Sequence, residues 1–317
     1  MTTESNRIVA LREPPANMAA FLAETAKGLG QLYGQPAADE YIAKAPGILR
    51  ETLVHPGVRA FALLNDRHEA QAIAMAVMRP PIADIVYLHV LAQCSGQGAE
   101  AELLHHLLTH LQNEPIEGIV GEYLPTQPQD VEATYAAFGF TSKNRALMLA
   151  PLDAPGLQLD GPIDSTPFAA ADWDLAAEVL VDAYREHPGR RDHLEVRDHP
   201  HASAFLRTVA NGGYGYFQPS FARVSRTGNG QRPDGMIIGS RAAPGVGFVL
   251  HVAVRRAAQG RGIGRRLVQE LADTYRLAGF EQMALGVTDD NPARHLYERL
   301  GFRLARNITA WYWWRKP

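Results

Sequence analysis

Val252-Ala-Val254-Arg-Arg-Ala-Ala-Gln259-Gly260-Arg261-Gly262-Ile263-Gly264-Arg265-Arg266-Leu267 decides the reading of this chain. An apolar, β-branched run enters a glycine-rich turn, and an amphipathic run follows. That is a strand, a tight turn and a helix. The N-terminus of a helix exposes free N–H groups and the positive end of its dipole. Glycines let such a backbone approach an anion with no Cβ in the way. A diphosphate suits this turn. A Walker loop needs Gly-Lys-Ser/Thr, which is absent, and a dinucleotide fingerprint would place its third glycine one residue later, near a domain start.

A second segment lies downstream, Asn291-Pro292-Ala293-Arg294-His295-Leu296-Tyr297-Glu298-Arg299-Leu300-Gly301-Phe302. Asn291 is the expected cap of a short helix, Pro292 its first residue and Gly301 its end. Tyr297 then sits within two turns of Asn291, placed to face the mouth of the preceding strands.

Taken together, the two segments resemble the GNAT superfamily of acyl-CoA-dependent N-acyltransferases. The resemblance covers about 248–302 and rests on Val-Ala-Val, Gln-Gly-x-Gly-x-Gly and Asn-x-x-Ala-x-x-x-Tyr followed by Gly-Phe. It implies that acetyl-CoA is the co-substrate and that no metal takes part. Its pyrophosphate would lie on the turn Gln259, Gly260, Arg261, Gly262, Ile263, Gly264 and Arg265. The pantetheine arm would run beside the backbone of Val252, Ala253 and Val254, with Asn291 holding it further along. Tyr297 would protonate the leaving thiolate, as a phenol of pKa about 10 can at neutral pH. The acceptor would be a small-molecule amine attacking the thioester directly.

The resemblance supplies a less definite base. Many relatives carry a Glu or His on the strand before the glycine turn, and the matching place here is Phe248. His251, on the same strand, is the candidate; it reads equally as a histidine packed under the helix. Tyr184, Glu186 and His187 open the polar segment that runs through His193, Glu195, Asp198 and His201. In the resembled fold this segment lines the acceptor mouth, and these three residues are the acceptor-binding candidates.

The motifs recur upstream. Gly96-Gln-Gly98 stands 164 residues before Gly260-Arg-Gly262, and Tyr135-Ala-Ala-Phe-Gly-Phe140 echoes Tyr297-Glu-Arg-Leu-Gly-Phe302. Two motifs in the same order at nearly constant offset point to a duplication. The expected fold is α/β, with two tandem GNAT-like domains, each a mixed sheet flanked by helices. The expected boundaries are 1–150 for a degenerate copy, 151–162 for a Pro/Gly-rich linker and 163–317 for the catalytic domain. In each half the order is two helices, a hairpin, a buried strand, the turn and its helix, then a further strand. Asp172 is the expected cap of the helix at 173–184. In the first copy Glu100 replaces the third glycine, and a carboxylate there repels a pyrophosphate. The first copy is expected to serve packing, dimerisation or the shaping of the acceptor cleft, with Tyr135 a packing residue. The tail Trp311-Tyr-Trp-Trp314 reads as sheet packing.

Composition agrees with a packed protein. The 317 residues are 46% hydrophobic and 21% charged, and 31 Lys+Arg against 34 Asp+Glu give a net charge of −3. That balance argues against a general nucleic-acid binder. The single cysteine, Cys94, excludes an intramolecular disulfide, which suits a reducing cytoplasm. No apolar run reaches membrane-span length. Two further functions stay open, a non-catalytic acyl-CoA sensor or scaffold and a peptide or protein N-acetyltransferase.

Overall fold

The structure is a computed structural model, described here for residues 7–123, 131–187, 190, 193–226 and 232–315. The chain divides into two compact units. One comprises Met1–Arg145 with Ile308–Pro317, the other Ala146–Asn307. Among the described residues no helix is long and apolar enough to cross a membrane.

The first unit carries β1 (Arg7–Ala10), α1 (Met18–Tyr33), α2 (Gln35–Val54), β2 (Val58–Leu64), β3 (Ala70–Arg79) and β4 (Ile82–Val90). They are followed by α3 (Ala99–Gln112), β5 (Gly118–Glu122) and α4 (Glu132–Ala137). Strands β1 to β4 form an antiparallel meander, and β5 lies parallel to β4. The tail closes this sheet, Ala310 to Trp314 running antiparallel to β5. Leu103, Leu107 and Leu111, one helical face of α3, are fully buried on one side of the sheet. Met18, Phe21 and Leu22 of α1 pack on the other side with Leu53 of α2. Each such side chain contributes about 1.5–3 kcal/mol by leaving water. Trp311 is buried in the first of these cores, as the tail's packing reading expects.

The second unit repeats this plan. It is built from β6 (Thr141–Pro151, from Ala146 on), β7 (Thr166–Pro167), α5 (Asp172–Ala183), α6 (His199–Ala210), β8 (Ala222–Ser225) and β9 (Gly235–Ala243). Then come β10 (Val246–Val254), α7 (Ile263–Leu277), β11 (Gln282–Thr288), α8 (Ala293–Leu300) and the start of β12 (Arg303–Trp314). The order across the sheet is β6-β11-β10-β9-β8-β7. Leu267, Leu271 and Tyr275 of α7 repeat the buried face of α3 on one side of the sheet. Helices α5 and α6 cover the other side through Ala176, Leu180, Phe205 and Leu206.

Three local details differ from the sequence expectation. Asp172 is the first residue of α5 rather than its cap, which is Ala171. Its carboxylate accepts the Ala169 N–H at 2.8 Å and pairs with Arg226, so it closes the preceding turn instead. The stretch expected as a linker is packed. Leu152 and Leu157 are buried, Arg276 donates to both their carbonyls, and a Cβ on Gly156 would stand 2.6 Å from the Arg299 carbonyl oxygen. Gly156 thus permits close approach to α8. Lastly, residues 308–317 belong with the first unit, whereas the expected boundaries grouped them with the second.

Candidate active site

The site grows from the way β10 leaves its neighbour. Parallel pairing with β11 runs from Val246–Gln282 to Val249–Leu285 and stops there. Pairing with β9 continues to Val254–Gly235. Tyr275 pins the point of departure, because its hydroxyl meets the carbonyls of Phe248 and Ser240, each at 2.9 Å. Two glycines make this contact sterically feasible. A Cβ at Gly239 would stand 2.1 Å from the Tyr275 hydroxyl, and one at Gly247 would stand 2.4 Å from its ring.

The register of β10 on β9 slips between Val249–Gly239 and His251–Ile238, leaving Leu250 as the extra residue of a β-bulge. The slip inverts the alternation beyond it. Val249 faces the α7 core, and strict alternation would send His251 to that face too. Instead Leu250 and His251 both turn to the α5–α6 side, where His251 stands 5.0 Å from the Phe205 ring. His251 is therefore not packed under α7. Val252 and Val254 return to the α7 face, and Ala253 is buried on the other.

The strand ends at the glycine turn. Gly260 (φ 76°) and Gly262 (φ 82°) both hold the left-handed conformation. Gly262 is the N-cap of α7, with no side chain capping the helix and no acid in its first turn. A Cβ at Gly260 or Gly262 would meet nothing within 4 Å, and one at Gly264 would meet only Val254 Cγ2, at 3.6 Å. The protein leaves this space open, and the turn presents backbone N–H groups to it. Gln259 and Arg261 brace the turn by donating to the carbonyls of Val254 and Ala257, both at 3.1 Å. Asp182 accepts the Arg256 N–H at 2.9 Å at its start.

Asn291 caps α8 through its side chain, accepting the Ala293 N–H at 2.9 Å; the cap position itself falls on Pro292, one residue later than expected. Tyr297, on this helix, is buried, with its ring edge-on to Phe302. Burial, reinforced by nearby Tyr184, pushes its hydroxyl well above the ordinary phenol range, so it stays protonated.

Beside it lies a polar cluster. The Tyr184 ring stands 5.0 Å from His187 and 6.0 Å from His251. His187 hydrogen-bonds Asn291, yet burial and neighbouring His193 hold its pKa below the usual histidine value. Thus Tyr184, His187, His251, Asn291 and Tyr297 come together. Glu186 does not join them; it is exposed and pairs with Arg256 at the turn. Sequence reasoning singled out neither His193 nor Glu195. Glu195 lies 2.9 Å from His193 Nδ1 and 3.3 Å from His251 Nε2. Burial alone would raise its carboxyl, but the two histidines prevail and hold it well below the usual carboxylate range. No motif marks this residue; only the fold brings it to His251. Among the described residues no group of three or more His, Cys, Asp or Glu is arranged to hold a metal ion.

The first unit reproduces the backbone of this site with different side chains. Its parallel pairing stops at Ile85–Gly121, Val86 is the bulged residue, and Gly96 (φ 78°) and Gly98 (φ 79°) shape the turn. Glu24 takes the Ala92 N–H as Asp182 takes that of Arg256. Glu100, however, is buried in the first turn of α3. Tyr135 is fully buried, stacked on Trp311 at 4.6 Å and hydrogen-bonded to Tyr123. Tyr123 stands where the second unit has Val287 and is buried in the core beside Tyr135. The first copy's stretch Thr126–Val131 lacks the Asn-x-x-Ala pattern, and all of it but Val131 lies outside the described residues.

Residues 179–302 match the acetyltransferase (GNAT) family. No curated protein matches the chain by sequence. Among solved structures, the GCN5-related N-acetyltransferase from Sphaerobacter thermophilus is similar with a TM-score of 0.66 at 18% identity, over 99% of this chain and 98% of that one. A tandem GNAT protein from the clavulanic acid biosynthesis pathway is similar with a TM-score of 0.55 at 16% identity, over 99% of both chains. At these identities the likeness is one of fold, and it spans both units.

Proposed function

We propose that this chain, whose residues 179–302 match the GNAT acetyltransferase family, transfers an acetyl group from acetyl-CoA to the nitrogen of a small-molecule amine, using its second unit. The observation that carries this reading is the parting of β10 from β11 just ahead of an uncapped helix N-terminus. A strand edge released from its partner offers hydrogen bonds to the amides of a pantetheine arm, as an added strand would. The turn Gln259 to Arg265 then meets the pyrophosphate, with Gly260, Gly262 and Gly264 giving it room. Asn291 holds the arm further along.

Chemistry follows from the groups at the parting. The amine nitrogen attacks the thioester carbonyl; a C–N bond forms and the C–S bond breaks. His251 takes the proton the nitrogen sheds, and Tyr297 gives its hydroxyl proton to the departing sulfur. Solvent then returns a proton from His251 to Tyr297. Burial keeps Tyr297 protonated, so its hydroxyl is present as a donor to the sulfur while negative charge develops there. Tyr184 and His187 line the acceptor's approach, and Glu186, tied to Arg256, steadies the turn instead. In this reading the second unit catalyses, the first supports it, and the protein works in the cytoplasm.

A panel of primary amines incubated with acetyl-CoA tests this, with free thiol and acetylated amine followed together. Stoichiometric release of both products with at least one amine is expected. Acetyl-CoA binding without turnover across the panel would favour a sensor or scaffold.

A further inference from the structure

We propose that Glu195 is a positioning residue that locks the tautomer of His251, with His193 holding the carboxylate in place. This rests on the reading of His251 as the proton acceptor. One oxygen, Glu195 Oε1, faces both His193 Nδ1 at 2.9 Å and His251 Nε2 at 3.3 Å. An ionised carboxylate only accepts hydrogen bonds. Both ring nitrogens must therefore carry hydrogen. A neutral imidazole with its proton on Nε2 has its lone pair on Nδ1. His251 is thus presented with Nδ1 as the basic nitrogen.

The clamp is built rather than incidental. Glu195 sits in a single 3-10 turn between Leu194 and Val196, both buried, so the backbone under the carboxylate is anchored on each side. The Leu250 bulge brings His251 to the same face of the sheet. Phe205 closes one side of the His251 ring at 5.0 Å, and Tyr184 another at 6.0 Å. Among the described residues, the titratable groups around His251 are Glu195, His193 and Tyr184, with His187 and Tyr297 beyond Tyr184. Glu195 is the carboxylate in direct contact. The carboxyl's depressed pKa agrees, because it stays ionised while it accepts.

The step is a single proton transfer. The amine's proton goes to His251 Nδ1, the Nε2 proton stays shared with Glu195, and Glu195 gains and loses nothing. The imidazolium formed lies against a carboxylate in a partly dry site, where opposite charge stabilises it most. The pair supplies what the chain lacks at Phe248.

Long-range 15N–1H correlation of the histidine rings in the full chain, without substrate, reads the tautomer directly. At a pH where His251 is neutral, wild type should show it protonated at Nε2 and bare at Nδ1. E195Q retains an acceptor and should keep that tautomer; E195A should show a mixture. In turnover, E195A should lower kcat about tenfold or more and leave the KM for acetyl-CoA within about twofold. A wild-type His251 protonated at Nδ1, or a tautomer unchanged in folded E195A, overturns the proposal. The expected tautomers in a protein that acetylates no amine would support the clamp while removing the reaction it serves.

Discussion

Glu100 and Gly264 occupy the same position, the second residue of helices α3 and α7, each of which starts from a left-handed glycine. The turns share their 3-10 approach and their glycine dihedrals, and they differ in charge: Glu100 and Glu102 stand in the first turn of α3 where α7 has Gly264 and Arg266. A carboxylate in the first turn competes for the N–H groups that a phosphate would use.

Gly264→Glu should therefore abolish or strongly weaken acetyl-CoA binding, while Gly264→Ala keeps most of it. Gly264 has ordinary helical backbone, and a Cβ there would meet Val254 at a comfortable 3.6 Å, so neither variant is strained at the backbone. Losing a charge-assisted hydrogen bond worth about 1.5–3 kcal/mol weakens Kd about 10- to 100-fold. Calorimetry on the two folded variants checks this; equal affinities would remove the turn from the binding site.

The two tyrosines should separate in the same way. Tyr297→Phe is expected to lower kcat about 100-fold with a matched circular dichroism spectrum. Tyr135→Phe should leave turnover unchanged and cost roughly 1 kcal/mol of stability, since its hydroxyl bonds to Tyr123 within a packed core. A Tyr297→Phe enzyme at wild-type rate would deny that residue its role as acid.

Glu195 also ties stability to pH. Its carboxyl sits well below the ordinary 4.5 when folded. A depressed carboxylate stabilises the fold above the unfolded-state value, and that contribution is lost as pH falls through the folded-state value. Wild type should thus lose stability progressively below about pH 4.5. E195Q should start about 1–3 kcal/mol less stable at neutral pH and fall less steeply in acid. Urea unfolding at pH 7 and below pH 4 distinguishes the two slopes.

Much of this was legible beforehand because it is local. The glycine turn, the Asn-Pro start and Gly301 stop of α8, and the repeat are short-range patterns with short-range causes. What escaped depends on register and on distant chain. Alternation from Val249 sends His251 under α7, and only the pairing with β9 reveals the Leu250 bulge that reverses it. Glu195 lies 56 residues before His251 in a polar stretch without motif, and the 3-10 turn anchored by Leu194 and Val196 makes it a partner. Tyr123 carried no signal either, since its hydrogen bond to Tyr135 appears only in the fold.

Packing at the strand junction gives a test independent of catalysis. Gly239→Ala would place a Cβ 2.1 Å from the Tyr275 hydroxyl and 2.8 Å from the Phe248 carbonyl oxygen. Overpacking of this kind costs about 1–3 kcal/mol. A thermal midpoint equal to wild type would show that Tyr275 does not pin β10 as described.

The stoichiometry of acetyl-CoA binding tests most directly whether the second unit, and not the first, holds the co-substrate. Titration calorimetry on the full chain should give one site, lost in Gly264→Glu and kept in Tyr135→Phe. Two sites of similar affinity per chain, or one site that survives Gly264→Glu in a folded protein, would contradict it.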